Sequence, residues 1–185
     1  MSTLNYALFA TALGPCATVW ADAGLRGVFL PEPDEARTRA RVLRKFPDAV
    51  EAPPPPEVRR AIDAMTALLR GEAVDLSWVE LDTAGQEPFH VRAAVIARAI
   101  PPGEVMTYGQ IATRLGEPHA AQAVGQAMGK NPFPIVVPCH RVVAAGGKTG
   151  GFSAPGGANT KLKMLEIEGA LRAESLPLFA GAANK

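Results

Sequence analysis

Cysteine and histidine are scarce in this 185-residue chain: there are two cysteines, Cys16 and Cys139, and three histidines. Two distant thiols allow at most one disulfide, so no disulfide framework holds the fold. No C-x-x-C or H-x-x-x-H pair occurs, which excludes a spaced zinc cluster; no metal and no cofactor are expected. Long hydrophobic runs are missing too. Nothing approaches the roughly 18 consecutive apolar residues that a membrane span needs. No Lys or Arg precedes Arg26 and no long apolar stretch accompanies it, so no signal peptide is expected. A cytoplasmic, reducing setting fits these absences, and there an isolated thiol stays reduced. Net charge is small as well, at +1, which by itself points neither toward nor away from a polyanionic partner.

Apolar residues are plentiful, at 48%, enough for one large core or two small ones. Charge is unevenly placed. Residues 1–85 hold nine Lys/Arg against twelve Asp/Glu, and residues 86–170 hold eight against five. That excess in the second half suits brief phosphate contact rather than tight, salt-resistant binding. The expected class is α/β: a small N-terminal α/β domain at 1–85, a mostly helical C-terminal domain at 86–171, and a loosely ordered tail at 172–185. In the first half, residues 4–13 form an apolar segment that turns at Gly14-Pro15. Residues 17–20 and 25–30 read as a hairpin about Asp22-Ala23-Gly24. Residues 35–46 read as an amphipathic helix whose Arg37, Arg39, Arg41, Arg44 and Lys45 form a solvated face. Pro53 to Pro56 should be a stiff extended loop. Val58, Ile62, Met65 and Leu69 have helical spacing that ends at Gly71. Residues 79–81 follow as a last strand before a polar link at 82–87.

The second half reads as a helix at 91–100, opened by Pro88-Phe89 and closed by Pro101-Pro102-Gly103. Thr107 is a suitable N-cap for a short helix to Leu115. Gly116-Glu117-Pro118 makes a turn, and a second helix follows at 119–130. Two short helices about a Gly-containing turn form a helix-turn-helix pattern, a weak signal alone because many helical corners share it. The second helix has an apolar side of Ala120, Val124, Ala127 and Met128, and a polar side of His119, Gln122, Gln126 and Lys130. It is thin, with Ala121, Ala123, Gly125 and Gly129. A glycine inside a helix costs about 1 kcal/mol relative to alanine, so two of them point to a close approach to another backbone or a narrow groove.

The chemistry concentrates at Pro138-Cys139-His140-Arg141, entered through Ile135-Val136-Val137, which reads as a short buried strand. A free thiol has a pKa of about 8.5, so little of it is the nucleophilic thiolate at neutral pH. A neighbouring base held by a carboxylate solves that problem. His140 can be the base. Glu168, at the end of a helix at 161–168, can hold and charge the imidazole. On this reading the pair depresses the Cys139 pKa. Cys16 has no such neighbours and reads as a small core residue.

Three motifs taken together carry a family. They are Tyr108-Gly109-Gln110-Ile111-Ala112, the run from Ala120-Ala121-Gln122 to Met128, and the run from Asn131-Pro132 through Cys139-His140 to Val143. They strongly resemble the O6-alkylguanine-DNA alkyltransferases, also called methylated-DNA–protein-cysteine methyltransferases. The resemblance is specific over about residues 88–169 and looser before them. It implies DNA repair by stoichiometric, irreversible alkyl transfer from O6-alkylguanine to Cys139 after base flipping. It also implies a monomer that binds double-stranded DNA through the minor groove. By the same resemblance His140 acts as a base through a water, Glu168 supports it, Tyr108 is a donor at the purine edge, and Asn131 braces the pocket. The carbonyls of Cys139 and Val142 would accept the exocyclic amine. Ser153 would offer a donor to O6, and Phe152 would wall the pocket. Gln122, Ala121, Gln126, Thr107 and Arg114 would meet the DNA.

The chain departs from the family pattern in four ways. Gln122 stands where relatives carry an arginine that fills the vacated base stack, which puts extrahelical capture of the base in doubt or shifts it to Arg114. Phe152 stands where many have tyrosine. Ala154-Pro155 lengthens the loop before Gly156-Gly157. Zinc ligands found in some relatives' N-terminal domains are absent. Two rivals remain. One is a sensor that binds alkylated DNA without transfer, against which the presence of Cys139 argues. The other is a cysteine hydrolase, for which no oxyanion hole or turnover route is marked.

Overall fold

The computed structural model describes residues 2–170; the tail expected at 172–185 lies outside the described residues. The chain divides into two compact units. One comprises the residues up to Gly85 together with Pro132–Val136, and the other Gln86–Asn131 together with the residues from Val137 on.

In the first unit, β1 (Asn5–Thr11), β2 (Gly14–Ala21) and β3 (Gly24–Phe29) form an antiparallel meander, and β4 (Val50–Glu51) adds in parallel to β1. The sheet order is β3-β2-β1-β4. Cys16 to Trp20 on β2 are buried without alternation, as expected of a central strand covered on both faces. The first turn falls at Ala12-Leu13, ahead of the expected Gly14-Pro15, which already begins β2. The second turn needs its glycine. Gly24 has φ +126°, and a Cβ there would lie 2.6 Å from the Glu80 carbonyl oxygen. The strand expected at 79–81 is reduced to one parallel bridge, Leu25 with Leu81.

Helix α1 (Glu35–Lys45) is capped by Asp34, whose carboxylate accepts from the Arg37 N–H. Val42, Leu43 and Phe46 pack on Tyr6, Leu8, Ala17, Val19 and Phe29. Its basic residues form the expected solvated face, with Arg37, Arg44 and Lys45 exposed and Arg39 and Arg41 half-buried, and some of them also make contacts. Arg39 forks onto Glu51 at 3.1 and 3.2 Å, and the Lys45 ammonium lies 5.9 and 5.6 Å from the Phe29 and Phe46 ring centroids. Helix α2 (Pro56–Leu69) buries Val58, Ala61, Ile62, Met65, Leu68 and Leu69. Pro56 belongs to this helix rather than to the loop, because its fixed φ suits the first helical position.

In the second unit, α3 (Pro88–Arg98), α4 (Tyr108–Arg114) and α5 (Ala121–Gly129) pack around Ala93, Ala97, Ile111, Ala112, Val124, Ala127 and Met128. The turn after α4 closes through Gly116 at φ +77°, with the Glu117 N–H on the Ala112 carbonyl. Helix α5 begins two residues later than expected. His119 is a turn residue there, within a turn closed by the Ala120 N–H on the Glu117 carbonyl. Helix α6 (Ala158–Ile167) completes the unit.

The segment Ile135-Val136-Val137 is buried but is not the expected strand. Pro134 and Pro138 bracket it and cannot donate ladder hydrogen bonds. The chain turns there instead, with Ile135 at φ +77°. The strand comes after the cysteine. β6 (Val142–Val143) pairs in parallel with β5 (Met106–Thr107), Met106 opposite Val142 and Thr107 opposite Val143. No described helix is long and apolar enough to cross a membrane.

Candidate active site

Cys139 opens a single 3-10 turn, Cys139–Arg141, directly before β6, and is only 6% exposed. The β5–β6 register delivers Tyr108 to the same place, since Tyr108 follows Thr107, the partner of Val143. Asn131 donates its Nδ2 to the Val137 carbonyl at 2.9 Å, and its side chain also hydrogen-bonds the Cys139 thiol. Cys139, His140, Tyr108, Asn131 and Glu168 are thus brought together, as the motifs implied.

His140 is wholly buried, with Nε2 2.8 Å from Glu168 Oε1. Glu168 sits at the C-terminal cap of α6, where the helix dipole disfavours a carboxylate. Arg141 answers this. Its Nε donates to Oε2 at 2.9 Å, its Nη2 to Oε1 at 2.7 Å, and its Nη1 to the Ile100 carbonyl at 2.6 Å. Burial pushes the Glu168 carboxyl up, but the hydrogen bonds from Arg141 and His140 outweigh it and hold it at about 2. An ionised carboxylate only accepts, so Nε2 must carry the imidazole proton. Burial also keeps the His140 pKa below its ordinary value, against the pull of Glu168. The ring is therefore neutral, with a lone pair on Nδ1. That atom is buried and has no hydrogen-bond partner among the described residues.

One expectation is corrected. The His140–Glu168 pair does not depress the Cys139 pKa. Burial pushes this thiol up. The opposing influences are the Asn131 hydrogen bond, the charge of Lys161, and the backbone N–H groups of Cys139 and His140. A cation and donors thus favour the thiolate against burial. Cys16 is a core residue, completely buried, its thiol pushed up to about 11 by burial.

Sequence reading missed the roles of Arg141 and Lys161. Arg141 was legible in principle, as the only cation of the active-site motif facing a carboxylate that needs one. Lys161 was signalled only by its place on the buried face of α6, with Met164 and Leu165 at i+3 and i+4. Its Nζ donates to the Val142 carbonyl at 2.6 Å. That carbonyl is the one assigned by resemblance to the guanine amine.

Beside Tyr108 lies an open cleft of about 720 Å3, lined also by Ala121, Gln122, Gln126, Phe152 and Ser153. Cys139 and Val142 are not part of its lining. Gly125 and Gly129 belong to it. A Cβ at Gly125 would only touch the Tyr108 ring, at 4.0 Å, and one at Gly129 would meet nothing. The thinness of α5 is therefore not demanded by interior packing and faces the cleft. The Ser153 hydroxyl donates to the Gly129 carbonyl at 2.6 Å, tying the loop after β6 to the last residue of α5. Two expected DNA contacts lie elsewhere. Thr107 and Arg114 line a second cavity of about 810 Å3. The Thr107 hydroxyl accepts the Gln110 N–H at 3.1 Å while Gln110 Oε1 accepts the Thr107 N–H at 2.8 Å, a capping box for α4. Arg114 is not part of the lining of the cleft that holds Gln122.

The 6-O-methylguanine DNA methyltransferase, DNA binding domain, family matches residues 88–170. The methylated-DNA–protein-cysteine methyltransferase of Mycobacterium tuberculosis is 42% identical over 127 residues, covering 69% of this chain and 74% of the relative. The protein of the same name from Methanothermobacter thermautotrophicus is 32% identical over 151 residues, covering 82% and 77%. The crystal structure of the M. tuberculosis O6-methylguanine methyltransferase matches with a TM-score of 0.72 and 32% identity over 93% of this chain and 95% of that one. A structure of the M. tuberculosis protein in complex with DNA matches at 0.71 and 33%, over 95% and 99%. Fold and site together define a helix-turn-helix unit that carries a buried thiol beside an imidazole–carboxylate pair. The chain belongs to the methylated-DNA–protein-cysteine methyltransferase family.

Proposed function

We propose that this chain repairs DNA by taking the alkyl group of O6-alkylguanine onto Cys139 Sγ, once per molecule and irreversibly. The observation that carries this is the His140 ring, next in the chain to the thiol, whose Nε2 is committed to Glu168 and whose buried Nδ1 has no hydrogen-bond partner among the described residues and can serve as a base. The thiol proton passes to Nδ1 through a water. The thiolate attacks the alkyl carbon, the S–C bond forms, and the C–O6 bond breaks with its electron pair left on the purine. The Tyr108 hydroxyl donates at the purine edge. Burial, with the Cys139 charge, raises the Tyr108 pKa, so this donor stays protonated. In net terms the alkyl group moves to sulfur and the thiol proton to guanine. No route regenerates the thiol from a thioether, so one molecule serves one lesion.

The partner is double-stranded DNA with the damaged base flipped out, at a cost of a few kcal/mol. The thin side of α5, with Ala121, Gln122 and Gln126 along the cleft, is the surface we assign to the minor groove. The Asn131 amide braces the turn, Phe152 walls the cleft, and the loop at Ser153 meets O6. We assign the protein to the cytoplasm as a monomer.

Incubation with a duplex carrying O6-methylguanine, followed by intact-mass measurement and peptide mapping, tests the proposal. One methyl gained per chain, on Cys139, is expected. Cys139→Ser should gain nothing while binding DNA within a few-fold of the parent. Binding without mass gain would mean a sensor, and product release without mass gain a hydrolase.

A further inference from the structure

Lys161 is a buried cation that the mechanism above does not use. Its side chain is completely buried. Arg141, the other buried cation of this unit, has Glu168 as its counter-ion. Lys161 forms no ion pair with any described carboxylate; its hydrogen bond goes to the neutral Val142 carbonyl. A cation taken out of water is costly unless a negative charge or a full set of acceptors compensates it. Against it lie the Val142 carbonyl on β6, three residues after Cys139, and the Tyr108 ring on α4, whose centroid is 5.8 Å from Nζ, and its charge acts on Cys139 and His140 of the 3-10 turn. Among these, Cys139 is the group whose ionisation starts the proposed reaction.

We propose that the Lys161 ammonium is the counter-ion of the Cys139 thiolate, held in place by the Val142 carbonyl. The inference rests on the reading of Cys139 as the alkyl acceptor. It follows from charge accounting. When His140 takes the thiol proton, the new positive charge is met by Glu168, which Arg141 already shares. The sulfur is left needing its own cation, and Lys161 is the cation whose charge favours ionisation of Cys139. The reciprocal holds. Burial, against the opposing pull of the Cys139 charge, brings Lys161 down to about 8. The two groups titrate as a pair. Alkylation converts the thiolate into a neutral thioether, and Lys161 is then a buried cation without an anion.

The test follows the rate of Cys139 modification with pH, using iodoacetamide and free O6-benzylguanine, in the parent, Lys161→Met and Lys161→Arg proteins. Lys161→Met should move the midpoint of the profile up by at least about one pH unit, roughly a tenfold loss of rate near neutrality, with recovery in alkali. Lys161→Arg should keep the parent midpoint. A Lys161→Met profile with the parent midpoint and only a lower plateau would overturn the proposal, because a merely structural peg behaves that way. Should Lys161→Met fail to fold, the 13Cε resonance of Lys161 in the parent protein decides. Its titration must move to lower pH on benzylation of Cys139, and an unchanged titration is the contrary result. Failure of the acceptor assignment shows separately, as absent methyl on Cys139 after reaction with duplex, while iodoacetamide still reports on the thiol.

Discussion

Arg141 decides the state of the site, because its two hydrogen bonds keep Glu168 ionised and turned toward His140. The Glu168 carboxyl titrates at about 2 in the folded chain against 4.5 ordinarily. A depressed carboxyl contributes stability that is present above the ordinary value and lost as pH falls through the folded one. Glu168→Gln should therefore lower stability at neutral pH by about 3 kcal/mol, since it strands a buried guanidinium. The deficit should shrink between about pH 4.5 and pH 2. Chemical denaturation of both proteins at neutral and acid pH checks this; an equal deficit at both would contradict it. Gly150 makes a second single-residue demand. It has φ +76°, and a Cβ there would collide with the Tyr108 hydroxyl. Gly150→Ala should cost about 1–2 kcal/mol for the left-handed backbone alone. It should also slow transfer, because Tyr108 or the loop must move. Thermal melts and single-turnover rates measure both.

At the scale of elements, two-residue strands do what longer ones do elsewhere. β5 and β6 are too short for any periodicity to announce, yet their register sets Tyr108 beside the cysteine turn. The capping box next to β5 makes Thr107 a structural residue. Thr107→Ala should lower stability by about 1 kcal/mol and Thr107→Ser should restore most of it, in denaturant titrations. DNA affinity should change little in either, against the role that resemblance gave Thr107. Helix α5 carries the departure at Gln122, which lines the cleft with Tyr108. If that side chain holds the vacated stack, Gln122→Arg should speed reaction with methylated duplex by about 1–2 kcal/mol of barrier, part of the unstacking cost. Free O6-benzylguanine needs no flipping, so its rate should stay the same. Equal changes on both substrates would place Gln122 in the pocket chemistry instead. Arg114 lines the other cavity; no change with either substrate would make it the next residue to substitute.

For the whole molecule, charge sets the expectation. Residues 86–170 carry eight basic against five acidic residues, a small excess. Two of those basic residues, Arg141 and Lys161, are buried and face no phosphate. DNA affinity should be modest and fall as salt rises, with a gentle slope, because few phosphates are neutralised and few counterions are released. Fluorescence anisotropy between low and physiological salt reads the slope; an affinity that did not change would rule out phosphate tracking.

Local patterns were legible wherever one segment contained its own cause. The hairpin about Gly24, the cap at Thr107, the helical spacing of α2 and the helix-turn-helix could all be read from residues near one another. So could the thiol, the imidazole and the carboxylate, because the motif residues carry their chemistry whatever the packing. Where distant segments meet, the sequence was silent. The Ile135 segment has strand composition, but flanking prolines and burial in the first unit turn it. The protonation states of the site rest on Arg141 reaching Glu168 across 27 residues and Lys161 reaching Val142 across 19. Those contacts set which groups are desolvated and which charges they face. Burial and long-range charge exist only in the folded chain, so tertiary structure alone decided that an arginine holds the carboxylate serving the imidazole and that a lysine is buried against the Val142 carbonyl.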